Sequence, residues 1–153
     1  MSLYFAYGSN LDLAQMRQRC PGARMVGTAT LHGYQLAFVG HSQGRDGGVA
    51  TIQRNGTGGH VPGVLYEMTG PDWDKLDVYE GYPRVYRREV VRVINRAGWT
   101  VEAVAYIRNQ GDLRPPSPAY RRIIAGGYRY HNLPQSVLDL ALATRRGRGA
   151  WSR

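Results

Sequence analysis

The residues of this chain best suited to chemistry are one carboxylate and one turn. Glu80 ends the stretch Trp73-Asp74-Lys75-Leu76-Asp77-Val78-Tyr79-Glu80, and Tyr4-Phe5-Ala6-Tyr7-Gly8-Ser9-Asn10-Leu11 runs from an apolar segment into a glycine bend. On a helix advancing about 100° per residue, Trp73, Leu76 and Glu80 stand at i, i+3 and i+7, which places Glu80 on the apolar arc. Burial and the negative end of the helix dipole both disfavour an ionised carboxyl there and raise its pKa. A glutamate tuned this way carries protons near neutral pH. Helix geometry alone leaves two other outcomes open. A frayed last turn would swing Glu80 into solvent, or it would pair with Arg84, Arg87 or Arg88.

Gly8 permits a tight bend and a close backbone approach. The amides of Ser9 and Asn10 would then face a carboxylate or a developing oxyanion. A plain strand-to-helix connection capped by Asn10 accounts for the same residues. Tyr120 shares a helical stripe with Ile123 and Ile124 and points inward, where its hydroxyl needs a partner. That partner is either a backbone carbonyl in the core or a ligand in a pocket. The histidines His32, His41, His60 and His131 have no ligand spacing, so no metal is expected. Neither a phosphate-binding loop nor a nucleophile elbow is present, and no cofactor is expected.

These groups need elements to hold them. Leu3 to Tyr7 reads as a strand, followed by a helix to Arg19 with Asn10 as its cap, Asp12 in its first turn and Cys20-Pro21-Gly22 as its stop. Met25 to Leu31 and Tyr34 to Val39 read as strands joined tightly at Gly33. His41 to Gly48 forms a polar loop, Val49 to Gln53 a strand, Asn55-Gly56 a hairpin turn and Val64 to Met68 a further strand. Thr69, Pro71 and Asp72 open the helix that carries Glu80, and Gly81 closes it. Val85 to Ile94 and Trp99 to Ile107 form the clearest hairpin. Ser117-Pro118 opens a helix that Gly126-Gly127 should end, and a last helix spans Pro134 to Thr144 with Val137, Leu140 and Ala141 on its apolar side. Strands and helices do not alternate regularly, so the expected class is α+β: a small mixed, barrel-like sheet with flanking short helices.

Composition sets the outer limits. The 153 residues suit one domain, expected over 1–144, with an arginine-rich tail over 145–153. Twenty glycines and eight prolines favour short elements and many turns. The single cysteine, Cys20, forms no internal disulfide and reads as a small buried filler. Lys75 is the lone lysine among twenty basic residues, and the net charge is +9. No recognition helix, zinc motif or aromatic RNA-binding signature accompanies that charge, so nucleic acid is not the expected partner. A positive field would also draw a small anionic substrate. With no signal peptide and no long apolar run, the expected location is cytoplasmic, without a membrane partner.

Five segments, in order, make the chain resemble the γ-glutamylcyclotransferase family. They are Tyr4 to Leu11; Ser42-Gln43-Gly44 followed by Gly47 to Ile52; Gly63-Val64-Leu65-Tyr66; Leu76-Asp77 with Tyr79-Glu80-Gly81; and Pro115 to Tyr120. The resemblance implies an enzyme that cyclises the γ-glutamyl group of an amino acid or amine to 5-oxoproline and releases the free amine. It puts Glu80 in the acid/base position. It puts Tyr4, Phe5, Ala6, Tyr7, Gly8, Ser9 and Asn10 in the substrate loop, and Tyr120 in the pocket. Its only implied partner is a small γ-glutamyl molecule, and it leaves a homodimer open. The first loop differs from that of glutathione-specific relatives, which argues against glutathione. The short loop between Ser42 and Gly48 and the arginine tail depart from the family pattern and leave the released amine undefined. Two other readings stay open: a non-catalytic ligand-binding relative, and a basic nucleic-acid binder.

Overall fold

A computed structural model describes residues 2–144. Seven strands and four α-helices follow the chain in the order β1 (Ser2–Ala6), α1 (Leu13–Arg19), β2 (Arg24–His32), β3 (Tyr34–Ser42), β4 (Gly47–Arg54), β5 (His60–Met68), α2 (Gly70–Glu80), β6 (Tyr86–Asn95), β7 (Thr100–Arg108), α3 (Pro118–Tyr130) and α4 (Gln135–Thr144). A 3-10 turn, Ser9–Leu11, sits between β1 and α1. The class is the mixed α+β arrangement expected. Strands β1-β5-β2-β6-β7 form a closed barrel, and β3-β4 form a separate two-stranded ribbon. The barrel closes where β1 meets β7 in parallel, Tyr4 against Val104. All other strand pairs are antiparallel.

The β6–β7 hairpin shows why alternation works as a signal. Val91 and Val93 point into the barrel and are buried, while Arg92 and Ile94 face outward. Val91 pairs with Ala103 on the neighbouring strand, so a larger side chain sits beside a small one on the buried face. Helix α2 begins with a complete capping box. The Thr69 hydroxyl accepts the Asp72 amide, and the Asp72 carboxylate accepts from the Thr69 amide and hydroxyl. Asp72 also accepts from the Gly22 amide at 3.0 Å, tying α2 to the end of α1. The helix ends at Gly81 with φ of 63°, in the left-handed region that glycine enters without a Cβ penalty. Cys20 is buried beside this junction, and burial together with Asp72 pushes its thiol up to about 11.

Several local expectations give way to other contacts. Asn10 does not cap α1. Asp12 does, accepting from the amides of Ala14 and Gln15, because the intervening 3-10 turn moves the helix start by two residues. Gly33 is the one-residue connection between β2 and β3, as expected, but Asn55-Gly56 does not close a hairpin. Both connections carry the chain between the barrel and the β3–β4 ribbon. Strand β3 reaches Ser42 and β4 starts at Gly47, so the loop expected over 41–48 shrinks to a four-residue turn. Gly126-Gly127 do not end α3, which continues to Tyr130. A Cβ on Gly127 would lie 2.5 Å from the Leu11 Cβ, so this glycine is a helix–turn contact point. On α4, Leu138 replaces Leu140 on the packed side, and Leu140 is exposed. The expected tail, 145–153, lies outside the described residues. Among the described residues no helix is long and apolar enough to cross a membrane.

Candidate active site

The α2 C-terminus, the Gly8–Asn10 bend and the 43–46 turn meet around a cavity of about 400 Å3. Glu80 enters it from the last turn of α2. Leu76, one turn earlier, is fully buried, Trp73 is partly buried, and Val78 and Tyr79 face outward, so Glu80 stands on the inward arc. Glu80 as a residue keeps some exposure, but its carboxyl is enclosed by protein. Burial raises its pKa to about 7, against the opposing pull of Arg19 and Arg45. It pairs with none of Arg84, Arg87 or Arg88. Arg88 instead forks onto Asp77.

The bend lies on another wall. The Leu11 and Asp12 amides are the first to bond back, to the carbonyls of Gly8 and Ser9. The Ser9 and Asn10 amides precede them, at the start of the 3-10 turn, where no intrahelical acceptor exists. Asn10 is buried and works as a hub. Its Nδ2 donates to the Tyr4 hydroxyl at 2.9 Å, its Oδ1 accepts from Arg19 and Gln15, and its carbonyl accepts from Tyr66. Tyr4, Tyr7, Gly8, Ser9 and Asn10 line the cavity. Phe5 and Ala6 do not. They are fully buried in the core, where they set the course of β1.

The remaining wall is built of phenols. Tyr120 accepts the Ala50 amide at 3.0 Å, while Tyr86 donates to the Ala50 carbonyl at 2.7 Å. Tyr7 donates to the carbonyl of Tyr106, whose own hydroxyl donates to Asp77. Tyr4 and Tyr120 each accept an N–H, so each retains an O–H to give. Burial holds Tyr4, Tyr7 and Tyr86 well above the usual phenol range and Tyr120 at about 12. All four are neutral donors at physiological pH. Together the enclosed carboxyl, the bend and the phenols can accept a proton, return it, and hold anionic oxygens.

Sequence reasoning passed over Arg19, Arg45, Tyr86, Tyr106 and Arg108, all of which line the cavity. Arg19 ends α1 and Arg45 sits in a turn, positions where arginine ordinarily faces solvent. Tyr86 carried one signal, an aromatic five residues beyond Gly81 at the start of an alternating strand.

The chain belongs to the gamma-glutamyl cyclotransferase, AIG2-like family, whose sequence profile matches residues 4–130. A gamma-glutamylcyclotransferase of Homo sapiens is 36% identical over 138 residues, covering 86% of this chain and 72% of the relative. One from Mus musculus is 35% identical over 143 residues, covering 90% and 75%. A solved structure of a gamma-glutamyl cyclotransferase superposes with a TM-score of 0.83 at 32% identity, covering 88% of this chain and 82% of that one.

Proposed function

We propose that this protein is a γ-glutamylcyclotransferase that converts a γ-glutamyl amino acid or γ-glutamyl amine to 5-oxoproline and the free amine, with Glu80 as general base and then general acid. One observation carries the reading: the Glu80 carboxyl is enclosed by protein, burial raises its pKa to about 7, and it lines the same cavity as the Gly8–Asn10 bend.

The chemistry follows from the groups. The substrate's α-nitrogen begins as an ammonium and cannot attack. Ionised Glu80 takes one proton, and the freed lone pair attacks the γ-carbonyl carbon of the same molecule. A five-membered ring forms and the carbonyl oxygen becomes an oxyanion. As it collapses, the bond to the departing nitrogen breaks and Glu80 delivers its proton there. A second proton leaves the ring nitrogen by the same route, so the amine departs as an ammonium and Glu80 is restored. Proton transfer of this kind contributes about 10²–10⁴-fold. Holding the glutamyl chain folded is worth up to about 7–11 kcal/mol. In this reading the Ser9 and Asn10 amides and the Tyr4 and Tyr120 hydroxyls serve the two anionic sites, the α-carboxylate and the oxyanion. The nucleophile belongs to the substrate, so the scheme calls on no enzyme nucleophile.

Purified protein incubated with a panel of γ-glutamyl dipeptides tests the reading. Time-dependent 5-oxoproline is expected for at least one of them. Its absence across the panel, from folded protein, would refute the assignment.

A further inference from the structure

Two guanidiniums fix the direction of every hydrogen bond in a chain that ends at Tyr4. A guanidinium carries N–H donors and no acceptor, so whatever faces it must accept. Arg45 Nη2 donates to Gln15 Oε1 at 2.9 Å. Gln15 therefore presents its nitrogen to the next member, and Nε2 donates to Asn10 Oδ1 at 3.2 Å. Arg19 Nη1 donates to the same Oδ1 at 2.8 Å. With its oxygen claimed twice, the Asn10 side chain turns Nδ2 toward Tyr4, where it donates to the hydroxyl at 2.9 Å. The Tyr4 oxygen accepts, and its own proton points away from Asn10.

The surroundings hold this arrangement in place. Asn10 is 3% exposed, and its backbone carbonyl accepts from the Tyr66 hydroxyl at 2.7 Å. The Tyr4 ring packs against Tyr66, Trp73 and Tyr106 at centroid distances of 6.1, 6.0 and 5.8 Å, which leaves the hydroxyl proton as its free torsion. Neighbouring phenols spend their protons on the protein. Tyr7, Tyr66 and Tyr86 donate to backbone carbonyls, and Tyr106 donates to Asp77. Tyr4 differs because its nearest polar partner is forced to donate. Among the described residues its O–H has no acceptor, and Tyr4 lines the cavity that Glu80 enters.

We propose that Arg19 and Arg45 are positioning residues that act through Gln15 and Asn10 to set the polarity of the Asn10–Tyr4 hydrogen bond, so that the Tyr4 O–H is kept for an anionic oxygen of the substrate. The inference rests on the cyclotransferase reading. With the opposite polarity the Tyr4 proton would be spent on the Asn10 side-chain oxygen and the cavity would lose a donor. A donor aimed before substrate arrives needs no reorganisation as charge develops, and each bond of the chain polarises the next.

Asn10→Asp tests the inference with almost no change of shape. Its carboxylate still accepts from Arg19 and Gln15 but has no N–H, so the bond to Tyr4 must reverse. The readout is kcat/KM for 5-oxoproline, on a γ-glutamyl dipeptide the parent turns over, in the parent, Asn10→Asp, Tyr4→Phe and the double variant. Each single variant should lose at least about tenfold, the scale of one donor to a charged oxygen. The double variant should stay within about threefold of Tyr4→Phe, because no O–H is left to misdirect. Arg19→Met leaves Asn10 in place and serves if Asn10→Asp does not fold. It should lose at least about threefold in the parent background and little in the Tyr4→Phe background, while Arg19→Lys, still a donor without an acceptor, keeps most of the rate. A loss from Asn10→Asp or Arg19→Met that is as large with Tyr4 replaced as with Tyr4 present would overturn the relay and leave the cyclotransferase reading standing. So would full activity in Tyr4→Phe or in Asn10→Asp. Failure of the folded parent to release 5-oxoproline from any γ-glutamyl dipeptide would overturn both.

Discussion

Asp77 and Arg88 meet in a two-pronged ion pair, Nε to Oδ1 at 2.9 Å and Nη2 to Oδ2 at 2.6 Å, while the Tyr106 hydroxyl also donates to Asp77 at 2.6 Å. Asp77 lies one turn before Glu80 on α2, and Arg88 and Tyr106 belong to β6 and β7. The pair thus fastens the end of α2 to the barrel and fixes the direction in which Glu80 enters the cavity. Substituting Asp77→Asn leaves the guanidinium and phenol short of a charged acceptor. It should lower stability by about 1–3 kcal/mol in urea unfolding. In our reading it should also lower kcat for 5-oxoproline release more than it raises KM, since the substrate groups bind elsewhere.

The Ala50 peptide is held at both ends, its amide by Tyr120 and its carbonyl by Tyr86. Tyr120→Phe strips the buried amide of its acceptor. The expected cost is about 1–3 kcal/mol, read as a lower urea midpoint. Catalysis should suffer as well, because the substituted ring no longer offers an O–H to the cavity.

Much of α2 was legible from the sequence because its signals are local. Thr69, Asp72 and Gly81 are a cap, a box partner and a left-handed stop, each defined within four residues of the backbone they satisfy. The β6–β7 hairpin was equally open, since alternation and a four-residue turn need no distant partner. Pairing between distant strands is a different matter. Nothing in Tyr34 to Val39 says that it leaves the barrel for a ribbon with β4, and the turn chemistry at Gly33 and Asn55 is the same either way. The site divides along the same line. Helical period offered the inward position of Glu80 beside a frayed turn and an arginine pairing, whereas Arg19 and Arg45 become cavity residues only through contacts with Asn10, Gln15 and Tyr120. Gly127 failed as a stop signal because its glycine answers to Leu11, more than a hundred residues away.

The two adjacent glycines of α3 should respond oppositely to alanine. At Gly126 the nearest atom to a new Cβ is the Arg129 Nη2 at 3.8 Å, so Gly126→Ala should gain about 1 kcal/mol from helix propensity. At Gly127 the Leu11 Cβ at 2.5 Å forces the helix and the 3-10 turn apart, and Gly127→Ala should lose about 1–3 kcal/mol. Thermal unfolding of both variants decides the sign at each position.

Glu80 should leave a mark on stability as a function of pH. Its carboxyl titrates near 4.5 in a solvated chain and about 7 in the folded protein, so the folded state binds the proton more tightly. Its contribution is then most favourable below the unfolded value, and it is lost as the pH rises through 7. Glu80→Gln removes the titration. The variant should match the parent near pH 4 and be more stable at pH 8, as measured by urea midpoints at the two pH values. A variant less stable than the parent at pH 8 would mean that the ionised carboxylate is well satisfied in the fold.

The central claim is that the enclosed Glu80 carboxyl moves the protons of cyclisation. Parallel kinetics of the parent and Glu80→Gln, on whichever γ-glutamyl dipeptide the parent turns over, test it most directly. The account predicts a fall in kcat of at least about a hundredfold with the fold intact, since glutamine keeps the shape and cannot carry a proton. It also predicts that the parent's rate declines below a pH of about 7. Release of 5-oxoproline by Glu80→Gln at close to the parent's rate would contradict it.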